Sequence, residues 1–181
     1  MTQELSTGVV LAAGAGTRFG MPKVLGGDGD WLRRSVAALH DGGCGDVVVV
    51  LGAAVVDVPA PARAVVAADW ADGLSASVRA GVRAAGDAAD FVVLTTVDTP
   101  DVGAAAVWRV LAAARTSTSG LARAYYDGRP GHPVVIARRH WPALLDALAG
   151  DVGAGPFLAG RDDVVAVECA DLGSGRDIDA R

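Results

Sequence analysis

Lysine is almost absent from this chain of 181 residues. Sixteen residues are basic, and all but Lys23 are arginine. A solvated surface normally carries several lysines, so a lone one beside a glycine-rich stretch needs a local reason. Cysteine is scarce too: Cys44 and Cys169 stand far apart and in no metal-binding spacing, which suits two reduced thiols. No apolar run approaches the length of a membrane span. The opening MTQELSTG lacks the charged-then-apolar layout of a secretory signal. The expectation is a cytoplasmic protein. A net charge of −5 argues against a broad nucleic-acid or membrane surface, so any phosphate site must be a local positive pocket on an acidic protein. The length fits one domain, 1–181, with enough chain for a substantial core. No linker, repeat or charge block marks a second.

What is present is organised around residues 9–23, VVLAAGAGTRFGMPK. A short apolar strand leads into a glycine-rich loop that carries Arg18 and Lys23. Gly14, Gly16 and Gly20 let the backbone turn tightly and approach a ligand. Successive N–H groups in such a loop form a nest for phosphate oxygens, with the arginine as a charged fork and the lysine as a point charge. A plain strand-to-helix turn would use the same glycines. Neither familiar glycine motif fits. A dinucleotide fingerprint needs glycine at position 19, where Phe19 stands, and a P-loop needs the lysine directly after Gly20, where Met21 and Pro22 intervene. Pro22 also disfavours helix at Met21.

Apolar runs at 9–13, 47–51, 63–67, 91–95 and 164–168 read as strands. Helices are expected over 31–40 with Asp30 as N-cap, over 72–85, over 102–115 with Asp101 as the better cap, and over 140–149. Residues 121–126 and 133–137, joined by a turn at Asp127-Gly128, read as a small antiparallel insertion. Strands alternating with helices predict an α/β fold with a mostly parallel sheet. In such sheets ligands sit at the carboxyl ends of the strands, which singles out the glycine loop and the stretch after 91–95. That stretch is TTVDTPD, and Asp98 there could hold Mg²⁺ or simply brace a turn.

LAAGAGTRFGMPK resembles the N-terminal signature of nucleotidyltransferases related to the molybdopterin cytidylyl- and guanylyltransferases, and Ala13 resembles the cytidylyltransferase branch. The resemblance implies a three-layer, Rossmann-like nucleotidyltransferase architecture. It implies that Leu11, Ala12, Ala13 and Gly14 face the base of a nucleoside triphosphate, and that Gly16, Arg18 and Lys23 face its phosphates. Further along, Asp98-Thr99-Pro100 is similar to the family's D-x-P metal motif, with Thr99 where glutamine or methionine is usual.

The segment WADGLSASV resembles a nucleotide-proximal stretch, which adds Ser75 and Ser77. Ser75 alone would serve as an N-cap, and a helix start there would also offer free N–H groups to an anion. RPGHP resembles the loop facing the acceptor substrate, which assigns His132 to it. GDVGAG resembles a G-D-x-G-A-R turn with Gly155 in place of arginine. RDIDA resembles D-I-D-T-P, where an aspartate completes the metal site. Asp177 is the favoured ligand and Asp179 the second choice, although a frayed acidic terminus is the commoner fate of such residues.

The reaction implied is Mg²⁺-dependent transfer of CMP from CTP to the phosphate of a molybdopterin-type acceptor, with Arg18, Lys23 and Asp98 catalytic. A molybdoenzyme or its chaperone would be the onward partner. GTP or another triphosphate with a different phosphorylated acceptor is the alternative. A dinucleotide-binding oxidoreductase should close its second strand with an acid, but Gly52-Ala53 follows. A non-catalytic nucleotide sensor would not need Asp98 or the tail aspartates.

Overall fold

The computed structural model describes residues 3–180. Among them, seven strands form one sheet in the order β3-β2-β1-β4-β6-β5-β7. Strands β1 (Ser6–Leu11), β2 (Asp46–Leu51), β3 (Arg63–Val66) and β4 (Phe91–Thr96) are mutually parallel. Strand β6 (Arg129–Ala137) runs antiparallel between β4 and β5 (Leu121–Tyr126), and β7 (Val165–Glu168) extends the edge parallel to β5. The hairpin expected as an insertion is therefore part of the sheet, because β6 supplies the ladder between β4 and β5.

The inner strands β1, β2 and β4 lack polar alternation because both faces are covered, whereas edge strand β3 is mostly exposed. Val10, Ala12, Val47 and Val49 pack with α1 (Asp30–Asp41) and α3 (Ala104–Thr116) on one face. Val9, Leu11, Val48 and Val50 pack with α2 (Leu74–Ala85), α4 (Trp141–Ala147) and the short α5 (Gly155–Ala159) on the other. This is the three-layer, mostly parallel Rossmann-like architecture read from the sequence. No helix is long and apolar enough to cross a membrane.

Several local readings change. Asp30 is the first residue of α1, after Gly29, and its carboxylate pairs with Arg34 at 2.6 Å. Residues 72–73 stay outside α2, because a 3₁₀ turn at Trp70–Asp72 and the left-handed Gly73 precede it. Gly103, not Asp101, caps α3. Residues 26–29 belong to an irregular 3₁₀ segment, Lys23–Gly29, that follows Pro22 and runs into α1. The helix expected over 140–149 ends at Ala147, and α5 went unread because five residues are too short to show a period.

Gly81 sets how closely α2 lies on the sheet. A Cβ there would stand 2.5 Å from Val9 Cγ1 and 3.3 Å from Val50 Cγ2. Gly81→Val should destabilise the protein by about 1–3 kcal/mol through overpacking, read as a lower urea midpoint. An unchanged midpoint would show that α2 can lift off β1 at no cost.

Candidate active site

A cleft of about 810 Å³ opens at the carboxyl ends of β1 and β4. One wall is the glycine loop. Beyond β1 the chain stays pinned to its neighbours: Ala12 N–H donates to the Val50 carbonyl at 3.0 Å, and the Ala13 carbonyl accepts from Ala53 N–H at 2.9 Å. The loop then turns back through Gly16, at φ +62°, where a Cβ would collide with the Met21 carbonyl. Gly20 N–H donates to the Gly16 carbonyl at 2.8 Å and closes the turn. Phe19 is buried against the Trp31 ring, with centroids 5.2 Å apart, which anchors the loop on α1. Leu11, Ala12, Ala13, Gly14, Gly16 and the exposed Arg18 all line the cleft.

The opposite wall is acidic. Asp98 follows β4, and its backbone carbonyl accepts from Ile178 N–H at 2.9 Å. That bond brings in the C-terminal tail. Asp101 accepts from both the N–H and the hydroxyl of Ser174 at 2.6 Å, and Gly175, at φ +61°, lies flat on the Tyr126 ring where any side chain would clash. The tail aspartates are thus docked, not frayed, and oxygens of Asp98, Asp177 and Asp179 lie within 4.8 Å of one another.

Lys23 Nζ sits among them, 2.6 Å from Asp98 Oδ2 and 3.0 Å from Asp179 Oδ1. Burial pulls the Lys23 pKa down, but its bonds to Asp98 and Asp179 outweigh that and raise it overall. The Lys23 contact lowers the Asp179 pKa. Burial raises that of Asp177, and the neighbouring charges of Asp179 and Asp98 add to the rise. Asp98 Oδ1 is buried without a hydrogen-bond partner among the described residues. An all-oxygen donor set with one orphaned buried acceptor fits a hard divalent cation.

The α2 start forms a third side, with Trp70, Asp72, Gly73, Leu74 and Ser77 lining the cleft. Ser75 is buried and is not part of the lining. Nor is the helix start free for an anion. Leu74 N–H donates to Asp151 Oδ1 at 3.0 Å, and Ser75 N–H donates to the Gly150 carbonyl at 3.2 Å. Gly73 permits this, since a Cβ there would strike the backbone of residues 150–151.

His132 lies in a second cavity of about 240 Å³, lined also by Thr96, Asp98, Thr99, Arg123 and Asp177. The two cavities meet at Thr96, Asp98 and Asp177. Burial pushes the His132 pKa down to about 4, with the positive charge of Arg123 adding to the effect, so the imidazole is neutral near pH 7. Arg123 escaped the sequence reading because a single arginine in a strand carries no periodic signal. Its guanidinium lies against Gly155, the position where the family motif carries arginine: a Cβ on Gly155 would be 3.9 Å from both Nη atoms. Asp72 and Asp151 were likewise unmarked as cleft residues.

A histidine that protonates near pH 4 when folded and near 6.5 when unfolded leaves stability intact above 6.5. As pH falls from 6.5 to 4, the unfolded chain takes the proton first and stability drops. The loss should reach at most about 3 kcal/mol, and His132→Asn should flatten that arm. Urea unfolding at pH 7 and pH 5 checks this; equal pH dependence in both proteins would mean that the folded histidine titrates normally.

Comparison with known proteins places the chain in a family. A nicotine blue oxidoreductase of Paenarthrobacter nicotinovorans is 37% identical over 187 aligned positions, covering 96% of this chain and 91% of that one. The crystal structure of Rv0371c from Mycobacterium tuberculosis H37Rv has a TM-score of 0.78 at 26% identity, with 99% of this chain and 95% of that one covered. A manganese complex of Rv0371c aligns with a TM-score of 0.69 at 24% identity, over 91% and 88% of the two chains. The family model described as the MobA-like NTP transferase domain matches residues 8–165. With its glycine loop, acidic corner and Rossmann-like sheet, the chain belongs to the MobA-like NTP transferase family.

Proposed function

We propose that this protein transfers CMP from CTP to the phosphate of a molybdopterin-type acceptor, with Mg²⁺ as the metal. The convergence of Arg18, Lys23, Asp98, Asp177 and Asp179 in one cleft carries the reading. An acceptor phosphate oxygen attacks the α-phosphorus, the bond from that phosphorus to the β-bridging oxygen breaks, and pyrophosphate leaves. The acceptor phosphate is already ionised, so no side chain need act as base. What the protein contributes is position and charge.

The loop backbone and Arg18 receive the β- and γ-phosphates. Lys23 exchanges its carboxylate partners for phosphate oxygens. Ser77 supplies a hydroxyl at the edge of the cleft. Asp98, Asp177 and Asp179 would hold the divalent ion, as the manganese complex of Rv0371c encourages. Bound there, it would neutralise charge on the triphosphate. The choice of CTP rests on the cytidylyltransferase-like Ala13, and GTP or another triphosphate is the nearest alternative. A molybdoenzyme or its chaperone would take the product onward in the cytoplasm.

The name of the Paenarthrobacter relative favours a second reading, an oxidoreductase in which a nicotinamide dinucleotide lays its pyrophosphate in the same loop. Against it, β2 ends in Gly52-Ala53 with no acid for a ribose, and hydride transfer has no use for three converging carboxylates.

Pyrophosphate release with CTP, GTP, ATP and UTP against a molybdopterin acceptor, beside melting shifts with NAD(H) and NADP(H), separates the readings. CTP should give the fastest release, and Lys23→Ala should slow it ~10²–10³-fold while the protein stays folded. Near-wild-type turnover in that variant would overturn the role given to the loop. Stabilisation by a dinucleotide alone would favour the oxidoreductase.

A further inference from the structure

We infer that Arg123 is the anchor of a second anion site, which takes the phosphate monoester end of the acceptor. Arg123 sits in β5, paired with Val134 of β6 and Ala166 of β7, so the strand itself is fixed on both sides. Ala122, Ala124 and Tyr126 point into the α1–α3 layer. Arg123 shares the opposite face with Leu121, which packs in the α2–α4 layer. Among the described residues its one hydrogen bond is from Nε to the Gly131 carbonyl at 3.2 Å. No carboxylate there pairs with it, and the outer Nη fork is uncommitted.

A half-buried guanidinium without a counter-ion is a costly arrangement for a fold to keep. Burial lowers its pKa, the direction expected of a guanidinium with no carboxylate beside it. The absence of a side chain at Gly155 leaves room beside the fork. A tetrahedral anion that accepts two parallel N–H bonds would satisfy it.

The surroundings say which anion. The cavity of about 240 Å³ is walled by Arg123, His132, Thr99 and the 130–131 backbone, and it opens onto Asp98 and Asp177. Neutral His132 can donate one N–H to a phosphate oxygen without adding a second charge. The space holds a phosphate and its first few carbons, so a bulkier acceptor would extend outward. A phosphate held there meets the triphosphate cleft where the two cavities share Thr96, Asp98 and Asp177. Its role as acceptor subsite rests on the nucleotidyl-transfer reading; the anion site itself does not.

Methyl phosphate is the probe, titrated into isotopically labelled protein while the Arg123 Nε–H and His132 Cε1–H signals are followed by NMR. Both signals should shift and saturate in the wild type. Arg123→Gln should weaken binding ~10- to 100-fold, the loss of charged hydrogen bonds. Arg18→Gln should leave binding at this site within about twofold, because its guanidinium lies in the other cavity.

Arg123→Met should melt no lower than wild type, since it removes a half-buried unpaired charge. Arg123→Lys keeps the charge and serves as folding control, with intermediate affinity. Unchanged affinity in Arg123→Gln would overturn the site, as would loss of the signal in Arg18→Gln in its place. Equal shifts by acetate would overturn its selectivity for phosphate. If pyrophosphate is released on acceptor yet methyl phosphate ignores Arg123, this site fails and the nucleotidyl-transfer reading stands. If methyl phosphate binds as described but no triphosphate is ever cleaved, the reverse holds.

Discussion

Three carboxylates that share one corner repel, and the rest of the site follows from how the fold manages that repulsion. Two unit charges 4 Å apart cost about 4 kcal/mol in an environment of intermediate dielectric. The Lys23 ammonium, bonded to Asp98 and Asp179, offsets part of it. The remainder shows in Asp177, whose pKa rises with burial and with the charges of its two neighbours. The corner survives because backbone bonds hold it: Asp98 carbonyl to Ile178 N–H, and Asp101 to Ser174. Such a preorganised surplus of oxygen ligands calls for a cation, and the charges need not reorganise when one arrives.

Topology decides where that corner lies. The sheet reverses its winding at β1, which has β2 on one side and β4 on the other. The loops after β1 and β4 therefore diverge and leave a crevice between them. Because β6 runs antiparallel, its start at residues 129–133 reaches the same edge as the ends of β4 and β5. The chain leaving β7 also emerges there. Four remote segments arrive at one rim for reasons of strand direction alone.

A shared fold does not settle the chemistry. One relative of this chain is described as an oxidoreductase, while the family is described by NTP transfer. The distinguishing features are side chains: a lone lysine aimed at acids, a buried acceptor atom on Asp98, and a neutral histidine beside an unpaired arginine.

The one-dimensional pattern was enough for the sheet, its covered faces and the glycine loop, because apolar runs and glycine spacing are local properties; the tail aspartates came from family resemblance. Helix starts at Asp30 and Asp101 misled, since a good capping residue can be recruited elsewhere; Asp101 spends its carboxylate on Ser174, 73 positions away. Ser75 looked outward by motif but turned into the core with the face of α2. Residue order by itself marked the glycine loop with Arg18 and Lys23, and Asp98 after β4, as candidates for a phosphate and a cation. Only the folded chain decided that Lys23 meets Asp98 and Asp179, and that Arg123 lies beside His132. Those pairings depend on strand direction and on hydrogen bonds between residues far apart in sequence, which no local spacing encodes.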